Sequence, residues 1–152
     1  MPVRAHIKEQ KPTFERFNAQ WTPTILLLDS AGAEKHRIEG FLPVDDFLAQ
    51  LELGLAKISF RRGSYAEAEK RFRSVCDTYR GTGATPEACY WAGVSAYKAS
   101  NDASHLGATA RQLKEQFPES EWPASPRSGS SSRLLARWAK ISRARSGASA
   151  GT

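Results

Sequence analysis

The hydrophobic pattern changes period along the chain. Across residues 3–7, Val3, Ala5 and Ile7 fall on one side and Arg4 and His6 on the other. That alternation predicts a short strand. Residues 8–12 break it, and Thr13 is placed to cap a brief helix over residues 14–19, with Phe14 and Phe17 on one face. Trp21, Thr22, Pro23 and Thr24 then lead into four aliphatic residues, 25–28, which read as a buried strand. Proline cannot donate to a sheet ladder, so Pro23 belongs at the mouth of that strand. Asp29, Ser30 and Gly32 supply a turn, residues 35–41 read as a second strand, and the pair predicts a β-hairpin that ends at Gly40.

From there the period becomes helical. Residues 42–58 predict a helix, with Pro43 in its first turn and Asp45 and Asp46 at its positive end. Phe47, Leu48, Leu51, Leu53 and Leu55 are its expected apolar stripe. A turn at Gly63 and Ser64 leads to a second helix, where Tyr65, Ala68, Phe72, Val75 and Tyr79 recur at i, i+3, i+4 and i+7 spacings. A third helix is entered at Pro86, and its Ala92, Gly93 and Ala96 allow close approach. A fourth carries Leu106, Ala110, Leu113 and Phe117 and stops at Pro118. Beyond residue 120 the chain is rich in Ser, Gly, Pro, Ala and Arg. Within that tail, residues 132–145 have the pattern of a basic amphipathic helix.

Charge sharpens the division. No acidic residue follows Glu121, and six basic ones do: Arg127, Arg133, Arg137, Lys140, Arg143 and Arg145. The rest of the chain holds sixteen of each sign, so the tail carries the whole net charge of +6. A disordered, solvated tail is the expectation. The longest aliphatic run is four residues and the N-terminus has no apolar leader core. Neither a membrane span nor a signal peptide is expected, and the cytoplasm is the expected compartment.

Candidate chemistry is sparse. Cys76 and Cys89 form no C-x-x-C pair and have no histidine at metal-ligand spacing, so they read as small, unbonded core residues of helices. His6, His36 and His105 are scattered. There is no phosphate loop and no nucleophile–histidine–acid order, and no catalytic residue, metal or cofactor is expected. Asp45 and Asp46 read as helix N-terminal charge. Trp21, Trp91, Trp122 and Trp138 read as packing or tail residues.

Two resemblances organise these elements. Leu55, Gly63, Tyr65, Ala68 and Phe72, followed by Gly93 and Tyr97, match positions of the tetratricopeptide pattern. Residues 51–118 therefore resemble about two such units, in which small residues let paired helices touch. Residues 1–56 run strand, short helix, Thr-Pro-Thr, strand, turn, strand, glycine, helix, which resembles the second half of a thioredoxin fold. That resemblance implies a cis peptide at Pro23 and a peptide- or thiol-binding surface at Trp21, Thr22, Pro23 and Thr24. The whole chain then resembles a bacterial thioredoxin-family protein with a helical repeat tail: a partial α/β segment followed by an all-α region, with residues 119–152 as the basic tail.

The departures decide the functional expectation. The W-C-x-x-C strand and helix of that family are missing, and Cys76 and Cys89 have neither the spacing nor the place of redox thiols. The expectation is a protein-interaction role without redox catalysis. The alternative is an oxidoreductase, active in redox homeostasis, whose C-x-x-C half is absent, as in an N-terminally truncated product. For the missing strand three outcomes stand as alternatives: the first strand moves onto the hairpin, a strand-donating partner chain supplies it, or the chain is the truncated product, the most economical of the three. A protein or peptide partner is expected, whereas nucleic-acid binding by the tail is not.

Overall fold

The computed structural model describes residues 2–6, 8–120 and 122. Of the expected tail, 119–152, residues 119, 120 and 122 are described, and the rest, including the basic amphipathic segment, lies outside the described residues. The fold is mixed α/β and mostly helical. Its order is α1 (Lys11–Arg16), β1 (Thr24–Leu28), β2 (Glu34–Glu39), α2 (Val44–Arg61), α3 (Tyr65–Thr78), α4 (Thr85–Ser100) and α5 (Ser104–Gln116).

The first strand expected from residues 3–7 does not form: residues 2–6 have no strand pairing, and Ile7 lies outside the described residues. The reason is visible at His6. Its carbonyl accepts from the amides of Glu9 (3.1 Å) and Gln10 (2.8 Å), and its own amide donates to Gln10 Oε1. The chain turns there, and alternation without a neighbouring strand to bond does not make a strand. Helix α1 starts two residues before Thr13, with Pro12 in its first turn, so Thr13 is no cap.

β1 and β2 form a two-stranded antiparallel sheet, with Thr24 opposite Glu39, Ile25 opposite Ile38, Leu26 opposite Arg37 and Leu27 opposite His36. The turn is built by Asp29. Its carboxylate accepts from the amides of Ala31 (3.0 Å) and Ala33 (2.9 Å), and Lys35 Nζ lies 2.9 Å away. These bonds, the one from Lys35 foremost, hold the Asp29 carboxyl below its ordinary pKa. Gly32 takes φ +74, a conformation that costs glycine nothing.

α2 presents three faces. Ala49, Leu53 and Ala56, at i, i+4 and i+7, are fully buried in the helical core. Gly54 meets the sheet so closely that an added Cβ would lie 2.4 Å from His36 Cδ2 and 2.6 Å from Leu27 Cδ1. The third face carries Val44, Leu48, Leu51 and Leu55. Leu48, expected in the buried stripe, is exposed.

Ala68, Phe72 and Val75 of α3 are fully buried against α2 and α4, and nine residues of α4 are buried, because it lies between α3 and α5. Cys76 and Cys89 are not free thiols as expected. They form a disulfide between α3 and α4, with Cα atoms 5.0 Å apart. Both helices bury these residues in the same core, and that brings together two thiols 13 residues apart.

Candidate functional site at the free edge of β1

The backbone of β1 is used on one side only. Gly40 donates its amide to Pro23 O at 2.9 Å, which makes 23 and 40 a bonded pair. Bonded and non-bonded pairs alternate in an antiparallel ladder. Ile25 and Leu27 therefore turn their N–H and C=O toward β2, and Thr24 and Leu26 turn theirs away. Among the described residues no other backbone group bonds Thr24 or Leu26. The strand Thr24–Leu28 bears no charge and no internal proline, the usual guards of a sheet edge.

One end of this edge is apolar and open. Trp21 is 68% exposed just before β1, and Phe41 is 87% exposed just after β2. The Thr22–Pro23 peptide is cis, and the Thr24 hydroxyl donates to Trp21 O across it. Trp21, Thr22, Pro23 and Thr24 thus sit together at the mouth of the strand. At the far end Leu28 is 41% exposed.

The two faces of the hairpin are occupied differently. On one face Arg37 donates to the carbonyls of Phe17 and Asn18 and binds Glu34 (2.7 Å) and Glu39 (3.0 Å), tying the segment after α1 to β2. On the other face His36 and Leu27 lie against Gly54. Burial, with Lys57 nearby, lowers the His36 pKa, so the imidazole is neutral at pH 7. Lys57 pairs with Glu87 of α4 at 2.6 Å.

The expected packing residues gather elsewhere. Phe60, Tyr65, Phe72 and Trp91 form an aromatic cluster, with ring centroids 5.2 Å apart for Phe60–Tyr65, 5.1 Å for Phe60–Trp91 and 6.3 Å for Phe72–Trp91. Gly63 makes the α2–α3 turn at φ +81. Ala68 and Tyr97 are buried, and Gly93 abuts Thr109 of α5. Leu55 stays out of this cluster, half-buried on the outward face of α2. Sequence reading missed that face, although its 4-3 spacing was there to be counted.

Among the described residues no group of three His, Cys, Asp or Glu stands close enough to hold a metal ion, and no helix is long and apolar enough to cross a membrane. A cleft of about 260 Å³ between the hairpin turn and the end of α2 is lined by Asp29, Lys35, Arg61 and Arg62. Three of those groups are already engaged: Lys35 with Asp29, and Arg61 with Lys35 O at 2.9 Å. The β1 edge thus offers backbone hydrogen bonds and apolar contact rather than acid–base chemistry. No protein-family model, no curated protein and no solved structure matches the chain.

Proposed function

We propose that the chain is a protein-binding module that takes an extended segment of a partner as a third strand along β1. One observation carries the reading: Thr24 and Leu26 present unpaired N–H and C=O groups on an uncharged edge. Strand addition of this kind draws affinity from main-chain bonds and specificity from alternate side chains. Trp21 and Phe41 at the open end supply an apolar anchor.

The resemblance to a thioredoxin-like half supports a peptide contact beside this edge, at Thr22, because that family pairs bound peptides with the residue before its proline. The tetratricopeptide-like reading of α2 to α5 makes the helical half a second protein-binding surface. The alternative, thiol–disulfide exchange, gains nothing from Cys76 and Cys89, whose bond is buried among core residues. That bond also bears on compartment. Disulfides persist in oxidising surroundings, so an exported location fits this chain better than the cytoplasm.

The test is selection of peptides from a random display library, followed by amide chemical-shift mapping of the winners on the full chain. Shifts centred on Thr24, Leu26 and Leu28 are expected. The variant Leu26→Pro removes an outward N–H and leaves the bonds to β2, so it should weaken binding about ten-fold. Peptides that shift only helical residues, or that bind Leu26→Pro undiminished, would overturn the proposal.

A further inference from the structure

The free edge of β1 is its own complement. Thr24 and Leu26 turn their N–H and C=O away from β2. Leu28 does the same, because its neighbour Asp29 points inward and donates its amide to Ala33 O at 3.0 Å. The outward groups thus recur on every second residue and lie symmetrically about Leu26. A strand with that spacing pairs antiparallel with a copy of itself about a two-fold axis at Leu26. Thr24 then bonds Leu28 of the second copy, and Leu26 bonds Leu26 of the second copy, each pair exchanging both N–H···O=C bonds.

Side-chain chemistry selects that occupant. Thr24, Ile25, Leu26, Leu27 and Leu28 carry no charge, so two copies bring no like charges together. β2, the other strand among the described residues, is charged at Glu34, Lys35, Arg37 and Glu39 and would not match so apolar an edge. The two-fold arrangement sets Leu26 on Leu26 and Ile25 on Leu27, the latter in the closer, non-bonded pair. Leu28, 41% exposed, gains Thr24 of the second copy as its neighbour. The sheet gains as well. Two strands alone are marginal in water, and a wider sheet with a covered apolar face is not. Leu27 already lies against Gly54 of α2, and Ile25 shares its face. Pairing carries that apolar face on into the second copy.

We infer that the strand added at this edge is β1 of a second copy of the chain, giving a continuous antiparallel sheet in the order β2, β1, β1, β2. This rests on the reading of strand addition at β1 and names its partner. The ladder engages 5 residues of each copy. A standard interface engages roughly 20–30 a side, so this dimer is weak and reversible.

Sedimentation equilibrium of the full chain at rising concentration tests it, and a monomer–dimer equilibrium is expected. A mixture of isotope-labelled and unlabelled chains should show a contact between Ile25 Hα and Leu27 Hα across copies, because these residues form the close pair. Leu26→Lys sets like charges on the two-fold axis and should weaken the dimer at least about ten-fold. It leaves the main-chain groups of the edge open to a peptide, whereas Leu26→Pro closes the edge to peptide and copy alike. Circular dichroism checks that both variants fold, and the contact across copies is read on the unaltered chain. A dimer that lacks that contact, or that Leu26→Lys leaves unchanged, lies on another surface and would overturn the inference. So would a chain that stays monomeric throughout. Peptides that still bind the edge would then leave strand addition standing with a different partner, and the absence of any binder would remove both readings.

Discussion

Gly93 and Thr109 mark the closest approach of two helices: a Cβ on Gly93 would lie 1.8 Å from Thr109 Oγ1 and 2.6 Å from its Cβ. The threonine cannot simply swing aside, because its hydroxyl donates to His105 O at 2.8 Å. Alanine at 93 gains about 1 kcal/mol of helix propensity. The forced separation of α4 and α5 costs more, of the order of 2–3 kcal/mol. Urea unfolding of Gly93→Ala should therefore show a net loss, and Gly93→Ala combined with Thr109→Gly should recover more than the two single changes predict.

The disulfide closes a short loop across α3 and α4. For a separation of 13 residues, the chain-entropy relation gives about 3 kcal/mol. Unfolding in guanidinium with and without reductant should differ by about that amount, and the double variant Cys76→Ala and Cys89→Ala should match the reduced protein. Equal midpoints with and without reductant would mean the cross-link is absent in solution.

His36 makes stability depend on pH. Its folded pKa lies below the ordinary 6.5, chiefly through burial, with Lys57 adding and Glu87 opposing. The unfolded chain therefore binds the proton more readily. Stability should be independent of this group above about pH 7 and should fall as pH drops through 6.5 toward the lower folded value. His36→Gln should flatten the profile between pH 5 and 7, and an unchanged slope would exclude His36 as its source.

Arg37 is the tie between β2 and the segment after α1. Replacement by methionine keeps the stem and removes the bonds to Phe17 O, Asn18 O, Glu34 and Glu39. Hydrogen exchange in residues 11–19 should accelerate while the β1–β2 amides keep their protection. Uniform acceleration across the chain would show instead that this arginine supports the whole fold.

Local patterns in the sequence carried the helices and the hairpin, because each has its own period and punctuation. Gly63, Pro86 and Pro118 fall where α2 ends, α4 starts and α5 stops. What depends on neighbours was not legible. Residues 3–7 alternate like a strand but have no strand beside them to bond. Leu48 and Ala49 differ in hydrophobicity, yet the smaller one is buried, because α2 meets α3 and α4 through Ala49, Leu53 and Ala56 at close range. The pairing of Cys76 with Cys89 follows only once α3 and α4 are known to lie side by side. The free edge of β1 is equally a property of the assembled sheet, visible only after register is assigned.

The cross-link between Cys76 and Cys89 has a mechanical meaning as well. If the chain is pulled from its two ends, the β1–β2 hairpin bears the load one residue pair at a time, starting from Thr24 and Glu39, and unzips at low force. Helices α2 and α5 can be drawn out along their full contour. The stretch between the two cysteines, which stand 13 residues apart, cannot, so about 45 Å of chain stays out of reach of any steady pull. A protease motor or a translocating pore that threads this protein from either end would meet a doubled strand at the same place.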